Sequence, residues 1–259
     1  MKTAFITGAT VNTGYGIAEK FLTEGWRAVI TSRSEEQLDA ALKSLGEKYG
    51  KGRVSGYVTD VVRSDNTVDE DRLDFIFSDL DEKGITVDCL VLNAANLGIR
   101  QRIFDNPLSD FINVINTNVV MNYALVERAA RRMKDKGEGS VVFINSNTAY
   151  RAIPDRIAYS TSKSAQLGMM RALALDLGKY NIRVNAVLPG MIKTDRWEKN
   201  PEFYAKVPSR FTPIGDVAVG EDIADAVYYF AAHARNTTGA ELVVDGGNTI
   251  QLYPTVPKG

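Results

Sequence analysis

Thr7-Gly8-Ala9-Thr10-Val11-Asn12-Thr13-Gly14-Tyr15-Gly16 joins an apolar run over 3–7 to a helical pattern from Ile17. Glycines at such a junction let the backbone turn sharply and approach a pyrophosphate, whose charge the N-terminus of the following helix favours. A plain strand-to-helix turn also often carries two glycines, so the stretch must be read with its surroundings.

Working outward, residues 27–31, 54–58, 87–92, 140–145 and 182–188 are further short runs rich in Val, Ile and Leu. Several, such as Cys89-Leu90-Val91-Leu92 and Val141-Val142-Phe143-Ile144, are apolar at consecutive positions. A strand covered on both faces needs that pattern, and parallel sheets are covered on both faces. Helical patterns lie between the runs. Leu73, Ile76, Phe77 and Leu80 fall on one stripe of a 3.6-residue period. Ser34 followed by Gln37 resembles a capping box, opening a helix with Leu38, Ala41, Leu42 and Leu45 on its apolar side. Alternating units of this kind predict an α/β fold, a three-layer doubly wound parallel sheet of about seven strands in a single domain over 1–259. The polar stretch 59–70 is long for a loop but does not resemble a domain linker.

Composition narrows the function classes. The 259 residues carry 31 Lys plus Arg against 32 Asp plus Glu, a net charge of -1, so nothing supports a nucleic-acid partner. No apolar run reaches the ~18 residues a membrane span needs. The start reaches Gly8 too soon to hold a signal-peptide core, and the single cysteine, Cys89, agrees with a reducing compartment. A cytoplasmic protein is expected. Cys89 reads as a small buried hydrophobe. His233, the single histidine, has no metal-ligand partner in sequence, so no metal site is expected. Arg128, Arg131, Arg132, Lys134 and Lys136 read as a solvated helix end suited to the C-terminal dipole.

The end of the second run bears on the ligand. An acidic residue there holds ribose hydroxyls in NAD enzymes, whereas an arginine accommodates a 2′-phosphate. Here Thr31-Ser32-Arg33-Ser34 offers no carboxylate, and a guanidinium binds phosphate through two parallel hydrogen bonds. NADP(H) is favoured over NAD(H), the bland alternative being a solvated Arg33.

Tyr159-Ser160-Thr161-Ser162-Lys163 places Tyr159 and Lys163 on one face of a helix expected over 156–180, about 6 Å apart along its axis. A free tyrosine has a pKa of about 10. An ammonium about 4 Å from the phenolic oxygen, at an effective dielectric near 20, stabilises phenolate by roughly 4 kcal/mol. That is about three pKa units, which brings the phenol toward the range of a general acid–base. Ser146, just past the 140–145 run, could hydrogen-bond a substrate oxygen and stabilise charge developing there.

Together these segments resemble the short-chain dehydrogenase/reductase family over essentially the whole chain, in the manner of its 3-oxoacyl-acyl-carrier-protein reductases. The resemblance rests on Thr7 to Gly16, Asp60-Val61, Asn93-Ala94-Ala95, Asn118, Ser146 with Tyr159 and Lys163, Pro189-Gly190, and an ending from Thr238 to Gly247 that looks like the family's last strand. It implies that Tyr159 is the acid–base, that Ser146 orients the carbonyl, and that Lys163 binds the nicotinamide ribose while lowering the tyrosine pKa. It further implies that Asn118 holds a water that passes protons to Lys163. Gly8, Thr10, Gly14, Tyr15, Gly16, Ser32 and Arg33 would meet the cofactor's phosphates and ribose. Asp60 and Val61 would flank its adenine, and Asn93 with Ala94 would line the adenosine ribose side. Pro189, Gly190 and Ile192 would pack around the nicotinamide, with Thr194 close to the diphosphate. A substrate lid is expected around 191–215. The implied activity is hydride transfer between NADP(H) and a secondary alcohol/ketone pair, with 3-oxoacyl thioesters, steroids and polyols as substrate candidates. A homotetramer or homodimer through the helices near 108–136 and 156–180 is implied as well. A non-catalytic dinucleotide sensor or scaffold is the rival; an intact Ser146, Tyr159 and Lys163 speak against it.

Three departures stand out. Five residues rather than three separate Gly8 from Gly14. Asn96 replaces a glycine near the expected active site, and Asp216 stands where many relatives carry arginine. The first bears on the pyrophosphate contacts, the second on the substrate pocket and the third on a subunit contact.

Overall fold

The computed structural model describes residues 1–59, 67–202 and 211–252. In chain order the strands are β1 (Thr3–Ile6), β2 (Arg27–Ser32), β3 (Val54–Val58), β4 (Cys89–Leu92), β5 (Gly139–Ile144), β6 (Ile182–Pro189) and β7 (Glu241–Val244). The helices are α1 (Asn12–Thr23), α2 (Glu35–Tyr49), α3 (Glu70–Glu82), α4 (Leu108–Ile115), α5 (Met121–Lys136), α6 (Ile157–Gly178), α7 (Arg196–Lys199) and α8 (Gly220–Tyr228). Every strand pairing is parallel, in the order β3-β2-β1-β4-β5-β6-β7. The expected doubly wound sheet is present.

The consecutive apolar runs are explained by two cores. Ala4, Ile6, Cys89 and Val91 face a layer built from Phe21, Leu22, Leu45, Ile223 and Phe230. Their neighbours Phe5, Leu90 and Leu92 face the opposite layer, with Phe77, Leu80, Leu125 and Met170. Side chains alternate across a strand, so both phases must be apolar when both faces are covered. Ser34 caps α2 as its sequence suggests, its hydroxyl accepting from the Gln37 amide at 3.2 Å. The reciprocal half of a box is not formed there, because the Ser34 amide donates to Ser32 Oγ at 3.1 Å.

Two readings are corrected. The helix after the glycine loop starts at Asn12 rather than Ile17, with Asn12 itself at φ 49°, so Gly14, Tyr15 and Gly16 are helical. The two additional residues of that loop therefore extend the entry to α1. Arg128 does not belong to a solvated helix end: it is buried and bridges α5 to α3 through Asp74 at 2.6 Å and Glu70 at 3.2 Å. Arg132 likewise pairs with Asp81, and Lys136 with Asp88 and Glu138. The α3 carboxylates and Asp88 that pair with Arg128, Arg132 and Lys136 lie about 50 positions away in sequence, beyond the reach of any helix-local rule.

Chain order reverses beside β1, whose neighbours are β2 and β4. Ligands of open α/β sheets bind outside the carboxyl ends of the strands at such a switch point. The glycine loop follows β1 and Asn93-Ala94-Ala95 follows β4, so both flank that crevice.

Candidate active site

A cleft of about 1030 Å³ opens at the switch point, lined among others by Gly8, Thr10, Gly14, Ser32, Arg33, Asn93 and Ala94. It adjoins a second hollow of about 160 Å³, Thr13, Asn93 and Ala95 lining both. The second hollow is walled by Ser146, Tyr159, Lys163, Pro189, Gly190 and Ile192. Residues as far apart in sequence as Gly8 and Ile192 thus line adjoining hollows.

The loop is built for close backbone approach. Gly8 has φ +62°, a left-handed conformation that side chains disfavour. A Cβ on Gly14 would lie 2.3 Å from the Gly8 carbonyl oxygen and 2.6 Å from Asn93 Nδ2, so the first turn of α1 rests directly on the loop. Thr7 Oγ1 accepts from the Asn93 and Ala94 amides, each at 2.9 Å, tying β1 to β4. Asn93 Nδ2 donates to the Thr7 and Gly8 carbonyls at 3.0 and 2.9 Å. The Asn93 carboxamide is thus engaged with the loop it supports. No side chain caps α1 and no acidic residue occupies its first turn, which leaves its positive end facing the crevice. These features fit a dinucleotide pyrophosphate. Gly14→Ala is expected to cost about 1–3 kcal/mol, because backbone rather than a yielding side chain opposes the added methyl. Denaturant unfolding checks this, and unchanged stability would show that the loop can give way.

Other expected residues lie elsewhere. The Tyr15 phenol hydrogen-bonds Ser44 on α2 at 2.8 Å, outside the cleft lining. Gly16 faces Gly220 at the start of α8, where a Cβ would make ordinary contact at 3.5 Å. Thr194 lines neither hollow. The cofactor roles of Tyr15, Gly16 and Thr194 are what the family resemblance implies, and none of the three is among the residues lining the two hollows. Asp60 and Val61 fall outside the described residues, as does the 203–210 part of the expected lid. Arg33 is exposed beside the cleft and makes no hydrogen bond or ion pair within the described residues. Gly190 packs so closely on Asp245 that a Cβ would come within 2.6 Å of its Cβ.

At the inner end, the buried Tyr159 phenol shares the hollow with Ser146. Burial holds the phenol above its ordinary range, opposed by the neighbouring Ser146 hydroxyl and by the Arg156 guanidinium. Arg156 is fixed by donating to the Leu97 and Gly98 carbonyls at 2.9 and 2.6 Å. The Lys163 amine is fully buried and lies 5.6 Å from the Tyr159 ring centroid. It donates to the Ile144 carbonyl at 2.8 Å and to Gln166 Oε1 at 3.2 Å, and burial brings its pKa down to about 7. The sequence reading has an ammonium about 4 Å from the phenolic oxygen pull the phenol down. Desolvation outweighs that attraction here, and the positive charge acting on Tyr159 is Arg156.

Asn118 is completely buried in a π-helical turn (Asn116–Val120) between α4 and α5. Its side chain accepts from the Asn96 amide at 2.7 Å and donates to the Asn96 carbonyl and to Ser162 Oγ, at 2.8 and 2.9 Å. Its main-chain carbonyl accepts from Gln166 Nε2 at 2.7 Å and Asn122 Nδ2 at 2.8 Å. Asn96 thus secures the loop after β4 to Asn118 while also lining the cleft. Asp216 accepts from the Val217 amide at 2.7 Å.

Sequence reasoning missed Asn145, Arg156 and Gln166. Gln166 carried a faint signal, an uncharged polar residue three positions after Lys163 on the stripe that continues to Leu167 and Met170. His233 packs edge-on against Tyr228, and the Cys89 thiol is buried and pushed up to about 12, so neither joins the site. No group of three potential metal ligands exists among the described residues.

A family model described as Enoyl-(Acyl carrier protein) reductase matches residues 8–249. The chain is 32% identical over 248 residues to a 3alpha-hydroxysteroid dehydrogenase of Mediterraneibacter gnavus, covering 95% of this chain and 96% of that protein. It is 33% identical over 259 residues to an NADP-dependent (R)-specific alcohol dehydrogenase of Lentilactobacillus kefiri, covering 96% and 97%. The solved structure of ElxO with NADP bound superposes with a TM-score of 0.85 at 28% identity, over 96% of this chain and 99% of that one.

Proposed function

Because the chain belongs to the short-chain dehydrogenase/reductase family and is an NAD(P)-dependent oxidoreductase of alcohol and carbonyl groups, we propose that it works with NADP(H) on a secondary alcohol/ketone pair, with Tyr159 as the general acid–base. The observation that carries this reading is that Ser146, Tyr159 and Lys163 wall a single hollow beside the glycine-lined cleft, sharing Thr13, Asn93 and Ala95 with it.

Bound nicotinamide would supply or accept the hydride; the rest is done by this chain. Gly8, Gly14 and the open end of α1 hold the diphosphate, and Pro189, Gly190 and Ile192 wall the place where the ring belongs. Ser146 Oγ, itself fixed by accepting from the Thr148 amide at 3.2 Å, donates to the substrate oxygen. Tyr159 gives its proton to that oxygen in reduction and recovers it in oxidation. Arg156 stabilises the phenolate form, and Lys163 in its charged form adds to that while meeting the nicotinamide ribose. Turnover of NADPH or NADP⁺ by the purified protein across a panel of ketones and secondary alcohols tests the reading. Absence of any cofactor-linked turnover would favour the sensor alternative.

Arg33 is proposed to hold the 2′-phosphate, supported by its exposed, unpaired guanidinium at the cleft. Arg33→Ala is expected to weaken NADPH about tenfold or more and NADH by much less, as loss of a charge-assisted contact implies. Fluorescence titration with both cofactors decides it, equal losses removing Arg33 from this role. Leu108, Ile112, Tyr123 and Leu175 lie exposed on α4, α5 and α6, which supports a homotetramer or homodimer built through these helices. No helix among the described residues is long and apolar enough to cross a membrane.

A further inference from the structure

We propose that Gln166 is a positioning residue for the reaction, its carboxamide joining the Lys163 amine to the Asn118 main-chain carbonyl and steadying both against the end of β5. The assignment rests on the oxidoreductase reading above. Gln166 is 1% exposed, and both ends of its amide are engaged. Oε1 accepts from Lys163 Nζ at 3.2 Å and from Asn145 Nδ2 at 3.1 Å, while Nε2 donates to the Asn118 carbonyl at 2.7 Å. The amide orientation is dictated by its neighbours. Rotated by half a turn, its NH₂ would face two donors and its oxygen would face a carbonyl.

The network reaches every proposed catalytic group. Asn145 Nδ2 also donates to the Lys163 carbonyl at 2.8 Å, and its Oδ1 accepts from the Ser146 amide at 2.7 Å. Asn118 continues through Ser162 Oγ, which donates to the Tyr159 carbonyl at 2.7 Å. Gln166 thus lies where the threads from Ser146, Lys163 and Asn118 meet. A carboxamide conducts no proton without passing through its costly imidic acid form, so its contribution is a fixed dipole with its negative end on the ammonium. Around Lys163 the charged or titratable groups are few. Tyr159 is the other titratable side chain in the hollow and Arg156 faces that phenol; β5, the π-helical turn and the loops after β4 and β6 present only neutral groups to it. A carboxamide dipole therefore matters more here than it would near a carboxylate.

Two substitutions separate positioning from packing. In Gln166→Leu each former partner keeps another, Ile144 for Lys163, Asn122 for Asn118 and the Lys163 carbonyl for Asn145, so the variant is expected to fold. Gln166→Glu keeps shape and volume. In the protein alone, NMR titration of the Lys163 ε-carbon, assigned by its loss in Lys163→Met, is expected to move down by about one pKa unit in the Leu variant. It should move up by about one unit or more in the Glu variant. The alkaline limb of kcat/KM should follow in the same two directions. Unmoved titrations, or two shifts of the same sign, would overturn the assignment, even if both variants are less stable. The titration reads the lysine without turnover. Its failure is thus distinguishable from failure of the oxidoreductase reading, which shows as an inactive parent.

Discussion

Tyr159→Phe is expected to lower kcat by about 10³-fold while leaving cofactor affinity within a few-fold of the parent. The substitution removes one oxygen and no ring, so the helix face and the wall of the hollow persist. In the proposed function the phenol exchanges the proton with a substrate oxygen that Ser146 holds, both side chains lining the hollow. Ser146 alone retains its cap to Thr148 and can orient a carbonyl, but an aliphatic hydroxyl is too weak an acid to deliver the proton. Steady-state kinetics with the best substrate of the panel, alongside cofactor titration, provide the check. A variant within tenfold of the parent would move the acid–base role to another group. Loss of cofactor binding in step with turnover would make Tyr159 a binding residue.

Lys163→Met is expected to change how stability depends on pH. Burial holds the Lys163 amine near 7, whereas in the unfolded chain it titrates at 10.5. Between these values the unfolded state binds the additional proton, so raising the pH favours the folded state. The gain is complete above about 10.5 and is lost as pH falls toward 7, a span of ~5 kcal/mol at the upper limit of 1.36 kcal/mol per unit. Tyr159, held high, works the other way above pH 10, but it is common to both proteins and cancels in the comparison. Methionine keeps most of the volume and carries no charge. Relative to the parent, the variant should therefore be most favoured near neutral pH and lose that advantage by several kcal/mol toward pH 10. Urea unfolding at several pH values measures the difference, and parallel curves would mean that the amine is solvated or paired in solution. The same experiment bears on mechanism, because a lysine half-charged near pH 7 makes activity fall on the alkaline side as the ammonium is lost.

The readings that needed only the sequence were those in which a local pattern has a single physical explanation. Consecutive apolar residues at Cys89-Leu90-Val91-Leu92 require cover on both faces, and β4 has it. Glycines at 8 and 14 mark a backbone approach that a Cβ forbids, whatever the loop length between them. Four-residue spacing on a helix puts Tyr159 and Lys163 on one side, and the hollow contains both. The fold and the position of the groove followed from such periodicities.

Tertiary structure alone decided which partner each polar group finds, because those partners come from distant strands and helices. Arg128 is buried rather than solvated because α3 brings Asp74 and Glu70 across 54 and 58 positions. The Asn93 carboxamide engages the loop 85 positions earlier. The Lys163 amine, expected beside the phenol, is drawn to a strand carbonyl 19 positions away and to Gln166, whose own reach to Asn118 spans 48. Side-chain spacing along a helix fixes a direction to within one face. Dielectric, hydration and the identity of the acceptor are properties of the packed interior, and these set the charge of Lys163.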